Sequence, residues 1–116
     1  MAQAVMVKKA QAIFYFRYAD AIEAGLIMLE RRIAPGPGQT CKFFTPNRFD
    51  KATDAQRYLA LSYLPQYRIG PIREDEVPDF DRVPLRFVSP ANGQPGGGQE
   101  AATSETVYLF NCSRLT

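Results

Sequence analysis

The first third of the chain changes from a strand-like to a helix-like pattern of hydrophobic positions. The aromatic run at 12–18 (AIFYFRY) predicts a strand whose alternate side chains, Arg17 among them, share one face. Asp20 followed by Glu23 is typical of a helix N-cap with an acid in the first turn. Apolar residues then recur with helical spacing, at Ile22, Leu26, Leu29 and Ile33. The segment 34–38, rich in proline and glycine, is expected to end this helix.

The rest of the chain predicts one more helix among short strands. The helix is expected at 50–61, with Ala52, Ala55 and Leu59 facing inward. Strands are expected at 41–45, 66–72 (broken at Gly70-Pro71), 85–88 and 106–110, with an acidic loop at 73–81. We expect one domain over 1–116, with 1–11 as a loosely ordered extension. The pattern predicts an α+β fold with a mixed, mostly antiparallel sheet and two helices in the N-terminal half.

Composition excludes several classes of protein. The chain has 116 residues and a net charge of +2, which gives no strong signal for nucleic-acid binding. No apolar run approaches the roughly 18 residues of a membrane span, and no secretory signal is recognisable. Cys41 and Cys112 are too few for a disulfide scaffold and favour a reducing compartment. These features predict a cytoplasmic protein without a membrane partner.

The chain contains no histidine, which restricts the chemistry open to it. Catalytic arrangements of the Ser-His-Asp or Cys-His kind are excluded, and so is the commonest zinc ligand. An enzyme built from this sequence would depend on carboxylates, arginine, tyrosine, hydroxyl groups and the backbone.

The segment 93–100 (GQPGGGQE) carries the most specific motif of the sequence. Consecutive glycines allow positive φ angles and let the backbone lie against a ligand without interference from Cβ atoms. The turn delivers the carboxylate of Glu100 to the start of a strand expected at 101–109. A shaped backbone beside an acid is how many active sites place a carboxylate next to a substrate.

The order of elements and this turn together resemble the ADP-ribosyltransferase fold, in the arm that uses an arginine, a hydroxyl residue and a glutamate. The matching features are the aromatic first strand (YFRY, 15–18), the strand end FFTP (43–46) and the glycine-rich turn that carries an acid. The turn is also similar to that of the tuberculosis necrotizing toxin-type NAD glycohydrolases, a family of toxin domains. There the position that matches Glu100 is typically glutamine, and a helper histidine of that family has no counterpart here.

This resemblance implies NAD as the substrate, no metal, and cleavage of the bond between nicotinamide and ribose. Glu100 would stabilise the cationic ribose, Arg17 would bind a phosphate, and Thr45 would steady Glu100 or the nicotinamide through its hydroxyl. The implied NAD-binding residues are Tyr18 or Phe44, stacked on the nicotinamide ring, and Gly96, Gly97, Gly98 and Gln99. The acceptor, water or a macromolecule, is left open.

The same resemblance implies a bacterial effector. Such a toxin acts in the cytoplasm or is delivered into a target cell by a specialised secretion system. Its natural context would then include an immunity protein that neutralises it.

Two other functions stay open at this stage. In one, the chain is a protein-binding module without catalysis, and GQPGGG is only a hairpin loop. In the other, a degenerate ADP-ribosyltransferase fold binds a nucleotide and does not cleave it. These alternatives differ from the enzyme in whether NAD binds and whether nicotinamide is released.

Individual site residues also have structural interpretations. Arg17 could stack on Tyr15 or pair with an acid of the segment 73–81, and Thr45 could be a turn residue. Phe44 could belong to the core. Glu105 is a competing carboxylate, expected on the face of the strand opposite to Glu100.

Overall fold

The computed structural model describes residues 14–35, 38–39, 42–74, 85–103, 106–108 and 112–116. Its helices are α1 (Ala21–Glu30) and α2 (Ala52–Tyr58). Its strands are β1 (Phe14–Ala19), β2 (Arg32–Ile33), β3 (Lys42–Phe44), β4 (Tyr67–Arg73), β5 (Arg86–Phe87), β6 (Gln99–Thr103), β7 (Val107–Tyr108) and β8 (Cys112–Arg114). The predicted α+β class is confirmed. No helix in these ranges is long and apolar enough to cross a bilayer.

The strands form small antiparallel sheets. One has the order β1-β4-β8, a second has the order β3-β6-β5, and β2 pairs with β7. The two larger sheets meet where Phe16 and Thr45 exchange backbone hydrogen bonds of 2.7 and 2.9 Å. This junction brings the first strand close to β3 and β6, on which the site is built.

Helix α1 begins as predicted but faces the core with different residues. The Asp20 carboxylate accepts the backbone N–H of Glu23 at 2.8 Å, which satisfies one of the free amides of the first turn. The buried residues of the helix are Ala24 and Ile27. Of the apolar residues with helical spacing, Ile22, Leu26 and Leu29 are exposed on α1, whereas Ile33 is buried in β2, beyond the end of the helix.

Strand β1 is buried on both faces because it lies between two hydrophobic clusters. Tyr15 and Ala19 belong to one cluster, together with Phe44 and Ile69, whereas Phe16 and Tyr18 belong to the other. The register against β4 shifts between Tyr15 and Arg17. The odd and even positions of the strand still face different clusters, so the predicted alternation of faces is confirmed despite the shift in register.

The remaining predicted elements are found with shifted bounds. Strand β4 runs through Gly70-Pro71 where a break was expected. Gly70 has a φ of +128°, and a Cβ atom there would lie 2.8 Å from the carbonyl oxygen of Tyr15. Helix α2 is shorter than the predicted 50–61, with Ala52 and Ala55 buried as expected. Strands β2 and β8 were not predicted. The extension at 1–11, Cys41, most of the acidic loop and Glu105 lie outside the described residues.

Candidate functional site

A cleft at the junction of β1, β3 and β6 brings together the sequence-predicted residues of three separate segments. Its lining includes Arg17 and Tyr18 from β1, Phe44 and Thr45 from the end of β3, and Glu100 from β6. The other lining residues are Phe16, Phe43, Leu59, Leu61 and Tyr63. With a volume of about 60 Å³, the cleft has room for water molecules and not for a nucleotide. A larger ligand would therefore require side chains at its wall to move.

Arg17 is held firmly at this cleft by a partner on α1. Its Nε and Nη2 atoms donate to both carboxylate oxygens of Glu23, the latter at 2.9 Å, and its Nη1 atom donates to the carbonyl of Phe43 at 3.0 Å. The arginine side chain is only 14% exposed. Among the described residues its acid partner is Glu23, whereas the structural interpretation of the sequence offered an acid of the segment 73–81, most of which lies outside the described residues. All three guanidinium nitrogens serve the fold in this state, so Arg17 is poorly placed to accept a phosphate.

Glu100 is held more loosely, by a partner that the sequence did not suggest. Its Oε1 atom accepts a hydrogen bond from Arg86 Nε at 3.0 Å. The two residues are direct cross-strand partners in the β5–β6 pair. The Arg86 side chain is 62% exposed, and an ion pair at that exposure stabilises a fold by about 0–1 kcal/mol.

Arg86 also contacts Phe43, which lies on β3, the strand on the other side of β6. Its guanidinium carbon lies 5.3 Å from the centroid of the Phe43 ring, within the range of a cation–π contact. Phe43 and Glu100 both line the cleft. Arg86 thus joins two lining residues from the outside.

The glycine-rich loop folds onto helix α2, not onto the cleft. The N–H groups of Gly96 and Gly98 donate to the carbonyls of Arg57 and Tyr58 at 3.1 and 2.9 Å. Gly97 donates its N–H to the carbonyl of Val88 at 2.9 Å. These glycines are absent from the residues that line the described cleft, and their contact with a ligand stays a prediction. They shape the backbone that leads to Glu100.

Asn47 ties this loop to the strand junction. Its Oδ1 atom accepts the backbone N–H of Gln99 at 2.7 Å and the hydroxyl of Thr45 at 3.3 Å. The Thr45 hydroxyl accepts the N–H of Asn47 at 3.0 Å in return. Thr45 is therefore a turn residue in this structure, in line with its structural interpretation, although it also lines the cleft. Gln99 contributes its backbone to the loop and is absent from the described lining.

The aromatic residues predicted to stack on a ligand belong to the core. Tyr18 and Phe44 are both buried. The Tyr18 hydroxyl donates to the carbonyl of Asn47 at 2.9 Å and accepts the N–H of Phe49 at 2.6 Å. Burial of this hydroxyl raises the pKa of Tyr18 to about 12. Of the aromatic residues that line the cleft, Phe43 is the most exposed, at 42%.

Two further groups near Arg17 have pKa values shifted mainly by burial. Tyr63 lines the cleft and donates its hydroxyl to the carbonyl of Tyr18 at 2.8 Å, and desolvation raises its pKa. Desolvation, followed by the positive charge of Arg17, lowers the pKa of Lys42. Within the described part of the chain, no three cysteine or carboxylate side chains cluster as a metal site would require.

A second, larger hollow continues from the cleft on the far side of Glu100. It has a volume of about 360 Å³ and shares Glu100 and Leu59 with the first cleft. Its other lining residues are Ala60, Arg86, Phe87, Val88, Ser89 and Ala91. Its volume lies in the range of small-molecule sites. The two hollows are therefore adjacent, with Glu100 and Leu59 in the walls of both, and we call them together the groove.

Sequence reasoning missed Arg86, Phe43 and Asn47 as parts of this site. Phe43 could have been found, because adjacent strand residues face opposite ways and a buried Phe44 places Phe43 outward. Arg86 carries no local signal, since its role depends on the register of β5 against β6.

Comparison of the chain with protein-family models, curated proteins and solved structures gave no match.

Proposed function

We propose that this chain is an NAD-consuming enzyme of the ADP-ribosyltransferase type, which cleaves the bond between nicotinamide and ribose. The observation that carries the proposal is the convergence of Arg17, Thr45 and Glu100 on one cleft. These residues come from separate parts of the sequence, and the resemblance described above requires them to meet. The antiparallel α+β architecture is compatible with that fold.

Glu100 is the residue that would perform the chemistry. Cleavage of the nicotinamide–ribose bond develops positive charge on the ribose, and a carboxylate nearby stabilises that charge. Glu100 would accept a hydrogen bond from the ribose 2′-hydroxyl and, in a transferase, take a proton from the acceptor. Its position on a strand beside a loop packed against α2 suits this task, since the backbone around it is fixed by hydrogen bonds.

Arg17 would act in this enzyme by holding the cleft together. It links β1, α1 and β3 through Glu23 and the carbonyl of Phe43. With these partners in place the charge of Arg17 is neutralised, and the part of the cleft lining formed by Arg17 and Phe43 keeps its shape. The phosphate contact that the resemblance assigns to Arg17 would require exchange of the Glu23 carboxylate.

The test of this proposal is release of nicotinamide from NAD by the purified protein. We expect turnover by the parent and a loss of about 100-fold or more for Glu100→Ala, because the charge that stabilises the transition state is removed. Glu30→Ala is the matched control, since Glu30 is an exposed acid at the end of α1 that pairs with Arg32 of β2. Absence of turnover in the parent, or equal turnover in Glu100→Ala, would contradict the proposal.

A second candidate function is a protein-binding module, favoured by the outer face of α1. Ile22 and Leu29 are 79% and 80% exposed, with Leu26 between them on the same face of the helix. Contiguous apolar surface of this kind marks interaction sites in many proteins. A binding module predicts that millimolar NAD leaves the thermal midpoint unchanged, whereas an NAD-binding protein is stabilised. A raised midpoint without nicotinamide release would identify the degenerate, nucleotide-binding fold.

A further inference from the structure

We propose that Arg86 is a phosphate-responsive latch: it holds Glu100 in the free protein and transfers to the diphosphate of an incoming nucleotide. This inference rests on the proposed function and names the group that recognises the anionic part of its substrate. The resemblance assigned that task to Arg17. The contacts of the two arginines favour Arg86 instead.

The position of Arg86 suits a residue that controls access to the cleft. It lines the second hollow, donates to Glu100 and lies over the ring of Phe43. The cleft itself is too small for a nicotinamide ring, and Phe43 and Glu100 form part of its wall. Movement of Arg86 toward the second hollow would release both wall residues at once.

The contact of Arg86 is also the more easily exchanged. Arg17 donates from all three nitrogens and is largely buried, whereas Arg86 is mostly exposed and donates to Glu100 from Nε. Exposed ion pairs are weak because water screens them. Hydrogen bonds from arginine to phosphate are charge-assisted and often bidentate, so a diphosphate competes effectively with one carboxylate oxygen.

Release of Arg86 would also activate the carboxylate. While paired, the negative charge of Glu100 is partly cancelled by the guanidinium, and a cationic ribose nearby would be stabilised less. Once Arg86 binds the diphosphate, the full charge of Glu100 is available. The ligand class is therefore a nucleoside diphosphate, with the phosphates at Arg86 and an aromatic base near Phe87, which lines the same hollow and is exposed.

The first arm of the test is calorimetric titration of the whole chain with ADP, which carries the diphosphate and cannot be cleaved as NAD is. We expect Arg86→Gln to weaken ADP binding about tenfold, since a charged hydrogen-bond donor is lost. The affinity of Arg86→Lys for ADP should lie between those of the parent and of Arg86→Gln. Arg48→Gln is the control, because Arg48 is 65% exposed and paired with Asp50 away from this groove; its affinity should equal that of the parent.

The second arm uses a variant that is expected to raise the affinity for ADP. If Glu100 competes with phosphate for Arg86, Glu100→Gln should bind ADP several-fold more tightly than the parent. Removal of the charge alone would raise ADP affinity by the same factor in the Arg86→Gln background, whereas the latch predicts that the gain disappears there. Phe87→Ala should weaken ADP about fivefold or more and leave inorganic pyrophosphate unaffected, since only ADP has a base to stack.

The latch is overturned if the parent shows no ADP binding at millimolar concentration, if Arg86→Gln binds like the parent, or if Glu100→Gln binds no more tightly. Thermal midpoints close to that of the parent verify that each variant is folded. Failure of the proposed function has a different signature. In that case ADP binding follows the pattern above while NAD releases no nicotinamide.

Discussion

Two arginine–carboxylate pairs each contribute one residue, Arg17 or Glu100, to the lining of the same cleft, and they differ in burial and in hydrogen bonding. Arg17 and Glu23 are largely buried, use both carboxylate oxygens and are tied to a backbone carbonyl. Arg86 and Glu100 form an exposed cross-strand pair through a single hydrogen bond from Nε. The first pair is built to persist, and the second is built so that a ligand can replace one partner.

Removal of one arginine at a time tests whether the two pairs differ in their contribution to stability. Arg17→Met leaves the partly buried carboxylate of Glu23 without its partner, and we expect a loss of about 3 kcal/mol in unfolding free energy. Arg86→Met should cost less than about 1 kcal/mol, because its pair is exposed. Urea unfolding of the two variants measures both values. Equal losses of unfolding free energy in the two variants would show that the two pairs stabilise the fold equally, which contradicts this expectation.

Gly96 tests whether the loop, and not only Arg86, holds Glu100 in place. Its φ is +70°, and a Cβ atom would lie 2.5 Å from the carbonyl oxygen of Val88. We expect Gly96→Ala to lower the free energy of unfolding by about 2 kcal/mol, since the strained φ angle and the clash both destabilise the fold. Gly25 on α1 is the control, because a Cβ there meets nothing within 4 Å and alanine favours a helix. A neutral Gly96→Ala together with a stabilising Gly25→Ala would contradict the packing described for the loop.

Unfolding at alkaline pH tests how much the buried hydroxyl of Tyr18, next to Arg17 in the cleft lining, contributes to stability. An unfolded tyrosine ionises near pH 10, whereas Tyr18 in the fold has a pKa of about 12. Between these values the unfolded state loses its proton first. The stabilisation is therefore complete below pH 10 and falls by about 2 kcal/mol as the pH rises to 12. Tyr18→Phe should flatten this decline in denaturant unfolding measured at several pH values, and an unchanged slope would refute it.

The smallest expected effect concerns the helix cap beside the buried pair. The Asp20 carboxylate caps α1 at the N–H of Glu23. Asp20→Ala should cost about 1 kcal/mol, and Asp20→Asn should restore most of it because the amide oxygen also caps. Thermal unfolding with both variants measures the difference. If Asp20→Ala matches the parent, the cap does not help to hold Glu23 toward Arg17.

Local features of the chain could be predicted from sequence, whereas features set by distant pairing could not. The cap at Asp20 and the inward alanines of α2 depend on neighbours along the chain and are confirmed. The periodicity of α1 marks Ile22, Leu26 and Leu29 as one stripe, but a stripe is buried only if another layer covers it. In this fold the sheet lies against Ala24 and Ile27.

In the site, too, residues marked by local sequence could be predicted, whereas those placed by distant strand pairing could not. Glu100 and Arg17 were predicted from residue type and setting, and both line the cleft. The glycines were assigned to a ligand because a glycine-rich run is equally suited to approach a ligand or another backbone. In this fold the backbone is that of α2. Arg86 became visible only through the register of β5 against β6.

The most direct measurement is a crystal structure of the parent chain with a non-hydrolysable NAD analogue. We expect the nicotinamide ribose to lie at Glu100, with its 2′-hydroxyl within hydrogen-bond distance of the carboxylate. We expect the diphosphate on Arg86, which has then left Glu100. An analogue bound elsewhere, or bound in the groove while the Arg86–Glu100 pair stays intact, would contradict these expectations.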